Sequence, residues 1–113
     1  MHSFDKVVGL LREIAEENPN YVDPNAGDGC YYYDEGPSCI VGHVLSRLGY
    51  SNEVLMRMDD CFDPFFKYNS EAPLDDFDKD AIRLLSRVQT YQDSGETWMF
   101  SVNQAERDFF DEH

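Results

Sequence analysis

The sequence predicts a mainly α fold, a small single-domain helical fold of four to five helices, with room for a short β-hairpin near residues 21–33. Three observations predict it. Apolar residues recur at three- and four-residue spacing in separate stretches along the chain. Those stretches open on capping residues, and three of them close on Gly or Pro. The chain has 113 residues, 42% of them apolar and 14% aromatic, which is enough for one small core without disulfides or a metal. No internal repeat and no linker divides it, so residues 1–113 read as one domain.

The first helix is predicted over 3–18. Ser3 suits an N-cap and Asp5 complements the dipole of the first turn. Val7, Leu10, Leu11 and Ile14 share one face, Glu13, Glu16 and Glu17 occupy the other, and Asn18-Pro19-Asn20 stops the run. Between 21 and 33, Tyr21-Val22 and Cys30-Tyr31-Tyr32-Tyr33 have β-type composition around a turn-like 23–29. Asp34-Glu35-Gly36-Pro37 closes this part.

Ser38 is the expected cap of a second helix, apolar over a broad face through Ile40, Val41, Val44, Leu45 and Leu48, with Gly49 as its C-terminal cap. Gly42 inside it costs about 1 kcal/mol relative to Ala, and suggests close approach of another backbone. Ser51 starts a shorter helix through Val54, Leu55 and Met58. Residues 59–73 are irregular, with Pro64 and Pro73 as breakers. A fourth helix is expected to open near Asp75 or Asp76, to carry Phe77, Ala81, Leu84, Leu85, Val88 and Tyr91, and to end at Gly95. Thr97 caps a last helix bearing Trp98, Val102, Ala105 and Phe109.

The chain carries 9 Lys and Arg against 23 Asp and Glu, a net charge of −14. Such a chain is a poor direct ligand for nucleic-acid phosphates or an anionic membrane, both of which need clustered cations. Its aromatic content separates it from acidic disordered tails. The three cysteines, Cys30, Cys39 and Cys61, are an odd number and argue against a complete disulfide framework. The opening residues are too charged for a secretory leader, and no run approaches the roughly 20 apolar residues of a membrane span. The expectation is a cytoplasmic protein with reduced thiols.

Four constellations could carry chemistry. Cys30, Cys39, His43 and Cys61 would make a Cys3His zinc tetrahedron, but the order C-x8-C-x3-H-x17-C lacks a C-x2-C knuckle, and buried core thiols explain the cysteines more simply. Cys39 and His43, one helical turn apart, could pair as nucleophile and base, but no orienting group or oxyanion hole is identifiable. Asp76, Asp78 and Asp80 match the first ligand positions of an EF-hand, but Ala81 stands where the loop needs Gly and Arg87 where it needs Glu, so calcium is rejected. No cofactor is expected. The fourth feature is a surface. Between 59 and 80, eight acids face only Lys67 and Lys79, a local balance of −6, and Phe62, Phe65, Phe66 and Tyr68 lie among them. Phe62, Phe65, Phe66, Tyr68, Asp59, Asp60 and Asp63 are the candidate partner-binding residues, with apolar anchors inside a charged rim that steers a basic partner. The plainer alternative is that these aromatics pack under the loop while the acids solubilise it.

Two stretches carry a resemblance. One runs from Cys30-Tyr31 through Gly36-Pro37-Ser38-Cys39-Ile40-Val41-Gly42-His43-Val44-Leu45 to Leu48-Gly49. The other comprises Gln89, Gln92-Asp93, Gly95, Thr97-Trp98, Val102 and Ala105. Together they resemble a group of small acidic proteins encoded by actinobacteriophages, mycobacteriophages especially. The resemblance implies phage origin and action in the cytoplasm of an infected bacterium, and it transfers no catalytic residue. The leading functional expectation is a non-enzymatic protein that binds and modulates a bacterial host protein with a basic surface. One alternative is an acidic DNA mimic that occupies the basic cleft of a host enzyme. Another is a small zinc-binding or cysteine-dependent protein.

Self-repulsion among the acids opposes compaction, and salt screens it. The melting temperature is therefore expected to rise across a NaCl series. A flat or falling trend would show that the excess charge does not limit stability.

Overall fold

The computed structural model describes residues 1–24, 31–60 and 66–111. Five helices form: α1 (Phe4–Glu17), α2 (Ile40–Arg47), α3 (Asn52–Asp59), α4 (Lys79–Asp93) and α5 (Trp98–Asp111). Single 3-10 turns sit at Phe66–Tyr68 and Leu74–Asp76. The described residues contain isolated β-bridges and no strand. The fold is mainly α, as the periodicity predicts.

α4 is the hub. It packs against α1, α2, α5 and the Phe66–Tyr68 turn. Its inner face buries Ala81, Leu84, Leu85 and Val88. Val7, Leu11 and Ile14 of α1, Val41, Val44 and Leu45 of α2, and Val102 and Ala105 of α5 complete the same core. The three- and four-residue spacing of these positions puts each set on one side of its helix.

The helix starts follow from side-chain caps. Ser3 Oγ accepts the Lys6 N–H at 3.3 Å. Asp78 serves two helices at once: one carboxylate oxygen accepts the Ala81 N–H at 2.7 Å and the other accepts the Phe4 N–H at 3.1 Å. Beside it His2 and Phe77 form a parallel bridge, so α1 and α4 begin side by side. This corrects the expected start of α4 near Asp75 or Asp76. Those residues belong to the preceding 3-10 turn, and the extended backbone of Phe77 lets Asp78 take the cap.

A second correction concerns α2. Its cap is Cys39, whose Sγ accepts the Gly42 N–H at 3.3 Å, while Ser38 donates its own N–H to the Tyr32 carbonyl. The cap position is fully buried, and a thiol is tolerated there more readily than a hydroxyl. Gly49, at φ 98°, closes the helix: its N–H reaches the Ser46 carbonyl while the Tyr50 N–H reaches that of Leu45, the Schellman arrangement.

The proposed hairpin is also redrawn. Residues 25–30 lie outside the described residues. Tyr31 and Tyr32 accept N–H groups from Cys39 and Ser38, and Tyr33 bridges Pro37, so 31–33 pairs with the residues just after it. The other supposed strand, at Tyr21, instead offers its carbonyl to the Trp98 N–H at 2.9 Å, capping α5. A short turn at Glu35 and Gly36, both with positive φ, closes the nearer pairing at a smaller loop-entropy cost.

A Cβ at Gly42 would overlap the carbonyl oxygen of Tyr32 in this loop. Gly42→Ala is expected to lower stability by about 1–3 kcal/mol, outweighing the gain in helix propensity. Gly9→Ala in α1, where a Cβ meets nothing within 4 Å, should raise it by about 0.5–1 kcal/mol. Urea titrations of both variants check the contrast.

Candidate functional site

The acidic aromatic segment divides into structural and exposed members. Phe62, Asp63 and Phe65 lie outside the described residues. Asp59 is half-buried at the end of α3 and accepts two backbone N–H groups, from Tyr32 at 2.7 Å and Tyr33 at 3.0 Å. Burial pushes its carboxyl up, and the two N–H bonds partly offset this. Asp59 is therefore a clamp on the 31–39 loop, which corrects its placement on a partner surface. Phe66 is corrected likewise. It is fully buried, edge-on to Phe77, and its N–H donates to Gln89 Oε1 at 2.9 Å. Asp60 is exposed at the end of α3. Tyr68 is 61% exposed, with Lys67 Nζ 4.8 Å from its ring centroid.

Residues 67–76 border two grooves of opposite character. Asn69, Ser70 and residues 72–76 line a shallow one of about 420 Å³ that includes Asp75 and Asp76. Its wall is held by Asn69, fully buried, which donates to the Met58 carbonyl at 3.0 Å and accepts the Glu71 N–H at 3.0 Å. Lys67, Tyr68, Arg83, Ser86, Arg87 and Thr90 line the other, about 260 Å³. Lys67 is fixed there by its N–H to Ser86 Oγ at 3.1 Å. Arg87 reaches Asp108 on α5 at 3.1 Å, and Asp108 also accepts from Tyr91 and from Gln104 at 2.9 Å. These hydrogen bonds, that of Tyr91 foremost, hold the Asp108 carboxyl below the usual range.

The basic groove was missed by the sequence reading. A signal existed: Lys79, Arg83 and Arg87 recur every four residues, one stripe along α4. The stripe begins where the acidic segment ends, and nothing in the spacing says that Lys67 folds back against it.

The cysteine and histidine candidates go elsewhere. Cys30 and Cys61 lie outside the described residues. Cys39 is buried as the α2 cap, and burial pushes its thiol far up, so it stays protonated. A protonated, enclosed thiol is not an activated nucleophile, which removes the Cys39–His43 pair as a catalytic unit. His43 packs edge-on to Trp98, ring centroids 5.3 Å apart. Among the described residues no three His, Cys, Asp or Glu side chains converge to hold a metal. The EF-hand acids have separate tasks: Asp76 accepts the Tyr50 hydroxyl at 2.6 Å, Asp78 caps two helices, and Asp80 lies 4.0 Å from Arg83.

No protein-family model, curated protein or solved structure matches this chain. Among the described residues no helix is long and apolar enough to cross a membrane.

Burial holds the His43 pKa below its ordinary value, with Arg47 acting in the same direction and Glu17 against it. The unfolded chain then binds the proton more readily than the folded one. This contribution is neutral above about pH 6.5, the unfolded value, and turns destabilising as pH falls from there toward the lower folded pKa. NMR titration should give His43 a midpoint below that value. His43→Gln should lose less stability than the parent between about pH 7.5 and about pH 5.5.

Proposed function

We propose that this chain is a non-enzymatic, phage-type protein that acts in the bacterial cytoplasm by binding and modulating a host protein with a basic surface. The observation that carries the reading is Tyr68. It is a large aromatic side chain, 61% exposed, on a turn anchored from below by fully buried Phe66 and Asn69. An aromatic presented on a rigid support loses little entropy on binding, which is the character of an interface hot spot. Acids at Asp60, Glu71, Asp75 and Asp76 flank it in sequence and are exposed. They supply the charged rim that accelerates encounter with a cationic partner. The net charge of −14 extends that steering over the whole molecule.

The DNA-mimic alternative needs unbroken rows of carboxylates. Lys67, Arg83 and Arg87 beside Tyr68 interrupt the acidic surface and weigh against it.

The test is capture of partners from an actinobacterial lysate, followed by affinity measurement with the purified partner. Tyr68→Ala should weaken binding by about tenfold or more while helical circular dichroism is unchanged. Phe66→Ala is unsuitable, since it opens the core. Full affinity in a folded Tyr68→Ala variant would remove this surface from the contact. Displacement of the partner by duplex DNA would favour mimicry instead.

A further inference from the structure

The groove lined by Lys67, Arg83 and Arg87 has a chemistry opposite to that of the protein around it. The whole chain has 9 cations, and three of them line a single concavity of about 260 Å³. Among the described residues that line it, none is acidic. Arg83 and Arg87 stand one helical turn apart, a spacing at which like charges repel and destabilise the helix that carries them. Each arginine has a carboxylate beside it, Asp80 4.0 Å from Arg83 and Asp108 3.1 Å from Arg87, and the three cations of the lining outnumber these two acids.

The groove is also built to hold its shape. Arg87 is steadied by Asp108, which Tyr91 and Gln104 hold from α4 and α5. Ser86 Oγ accepts the Lys67 N–H, so its hydroxyl hydrogen is the part left to act as a donor. Thr90 donates its hydroxyl to the Ser86 carbonyl at 3.0 Å, fixing the far end. The Tyr68 ring forms one wall.

We propose that this groove binds a phosphate monoester of about mononucleotide size, with Lys67, Arg83 and Arg87 on the phosphate and the Tyr68 ring against the remainder of the ligand. Two guanidinium groups, an ammonium and a hydroxyl suit the three terminal oxygens and double charge of a phosphate monoester better than the two oxygens of a carboxylate. Lys67 Nζ stands over one face of the Tyr68 ring, 4.8 Å from its centroid, so a planar group would stack on the opposite face. The surrounding negative field is screened beyond about 8 Å at physiological ionic strength, so at contact distance the local cations prevail. The proposal shares Tyr68 with the host-protein reading but does not rest on it, because its test uses the purified chain and no protein partner.

Calorimetric titration and amide NMR of the full chain, at physiological ionic strength, test it with adenosine monophosphate, inorganic phosphate and adenosine. Adenosine monophosphate should bind and shift the amides of Lys67, Ser86 and Arg87. Phosphate should bind more weakly at the same residues, and adenosine alone should not bind. Arg83→Ala should weaken binding about tenfold, and Arg83→Glu should abolish it. Arg83 lies on the outer side of α4, half-exposed, so both variants should stay folded. Equal binding of adenosine and its monophosphate, unchanged affinity in Arg83→Glu, or no response to low-millimolar monophosphate would overturn the assignment. So would displacement of the monophosphate by an oligoglutamate peptide at lower concentration, which would make this a site for acidic peptides.

Discussion

Two buried amides on α4 hold the non-helical segments of this protein in place. Gln89 and Gln92 are fully buried, about one turn apart, on the helix at the centre of the core. Gln92 accepts the Ile40 N–H at 2.8 Å, satisfying the start of α2. Gln89 accepts the Phe66 N–H at 2.9 Å and donates to the Tyr32 hydroxyl at 2.8 Å. Each hydrogen bond contributes only about 1 kcal/mol net, but leaving such a donor or acceptor buried and unmet costs about 1–3 kcal/mol. The loops therefore have one arrangement that satisfies the core. This constraint places the 31–39 loop, the α2 N-terminus and the Phe66–Tyr68 turn relative to α4.

The surface features inherit that order. Phe66 is drawn inward by its bond to Gln89, and Tyr68, two residues on, is left facing solvent. The same helix that anchors the turn from inside presents Arg83 and Arg87 outside, so the acidic segment and the basic groove share one support. An excess of negative charge would loosen a less constrained assembly. Cations placed between helices counter it: Arg12 of α1 binds Glu106 of α5 with both ends of its guanidinium fork, at 2.9 and 2.8 Å. Arg47 of α2 reaches Glu13 and Glu17 of α1 at 3.1 and 2.6 Å. The first pair is better sheltered, since the Glu106 side chain is only 12% exposed, whereas Arg47 bridges in solvent where such pairs contribute little.

The helices were legible because their signal is local. The predicted first helix over 3–18 and the observed Phe4–Glu17 differ only in whether the caps are counted. Capping was less legible. Ser38 and Cys39 are both able to accept a hydrogen bond, and only the depth of the site within the core selects the thiol. The start of α4 moved for a similar reason: Asp75, Asp76 and Asp78 are equivalent as sequence, until the bridge between His2 and Phe77 assigns the cap to Asp78. Among the aromatics of the irregular segment no period exists to say which face inward. Phe66 and Tyr68 look alike in a sequence, and their opposite fates follow from one hydrogen bond to a residue 23 positions away.

By itself the sequence determined the class of fold, the five helices and their apolar faces, the two glycines that close α2 and α4, and the sign of the surface charge. These depend on spacing, backbone preference and composition, which act over a few residues. The tertiary structure decided which polar residues belong to the core. It took Asp59 and Cys39 out of the pool of functional candidates, because each accepts backbone N–H groups, and it gave Gln89 and Gln92 the same task deeper in the core. It also brought Lys67 and Tyr68 against Arg83 and Arg87, from segments that are separate in the chain. The sequence does not show that groove, since Lys67 belongs to an acidic segment and Arg83 and Arg87 to the helix after it, and only the fold sets them on one side.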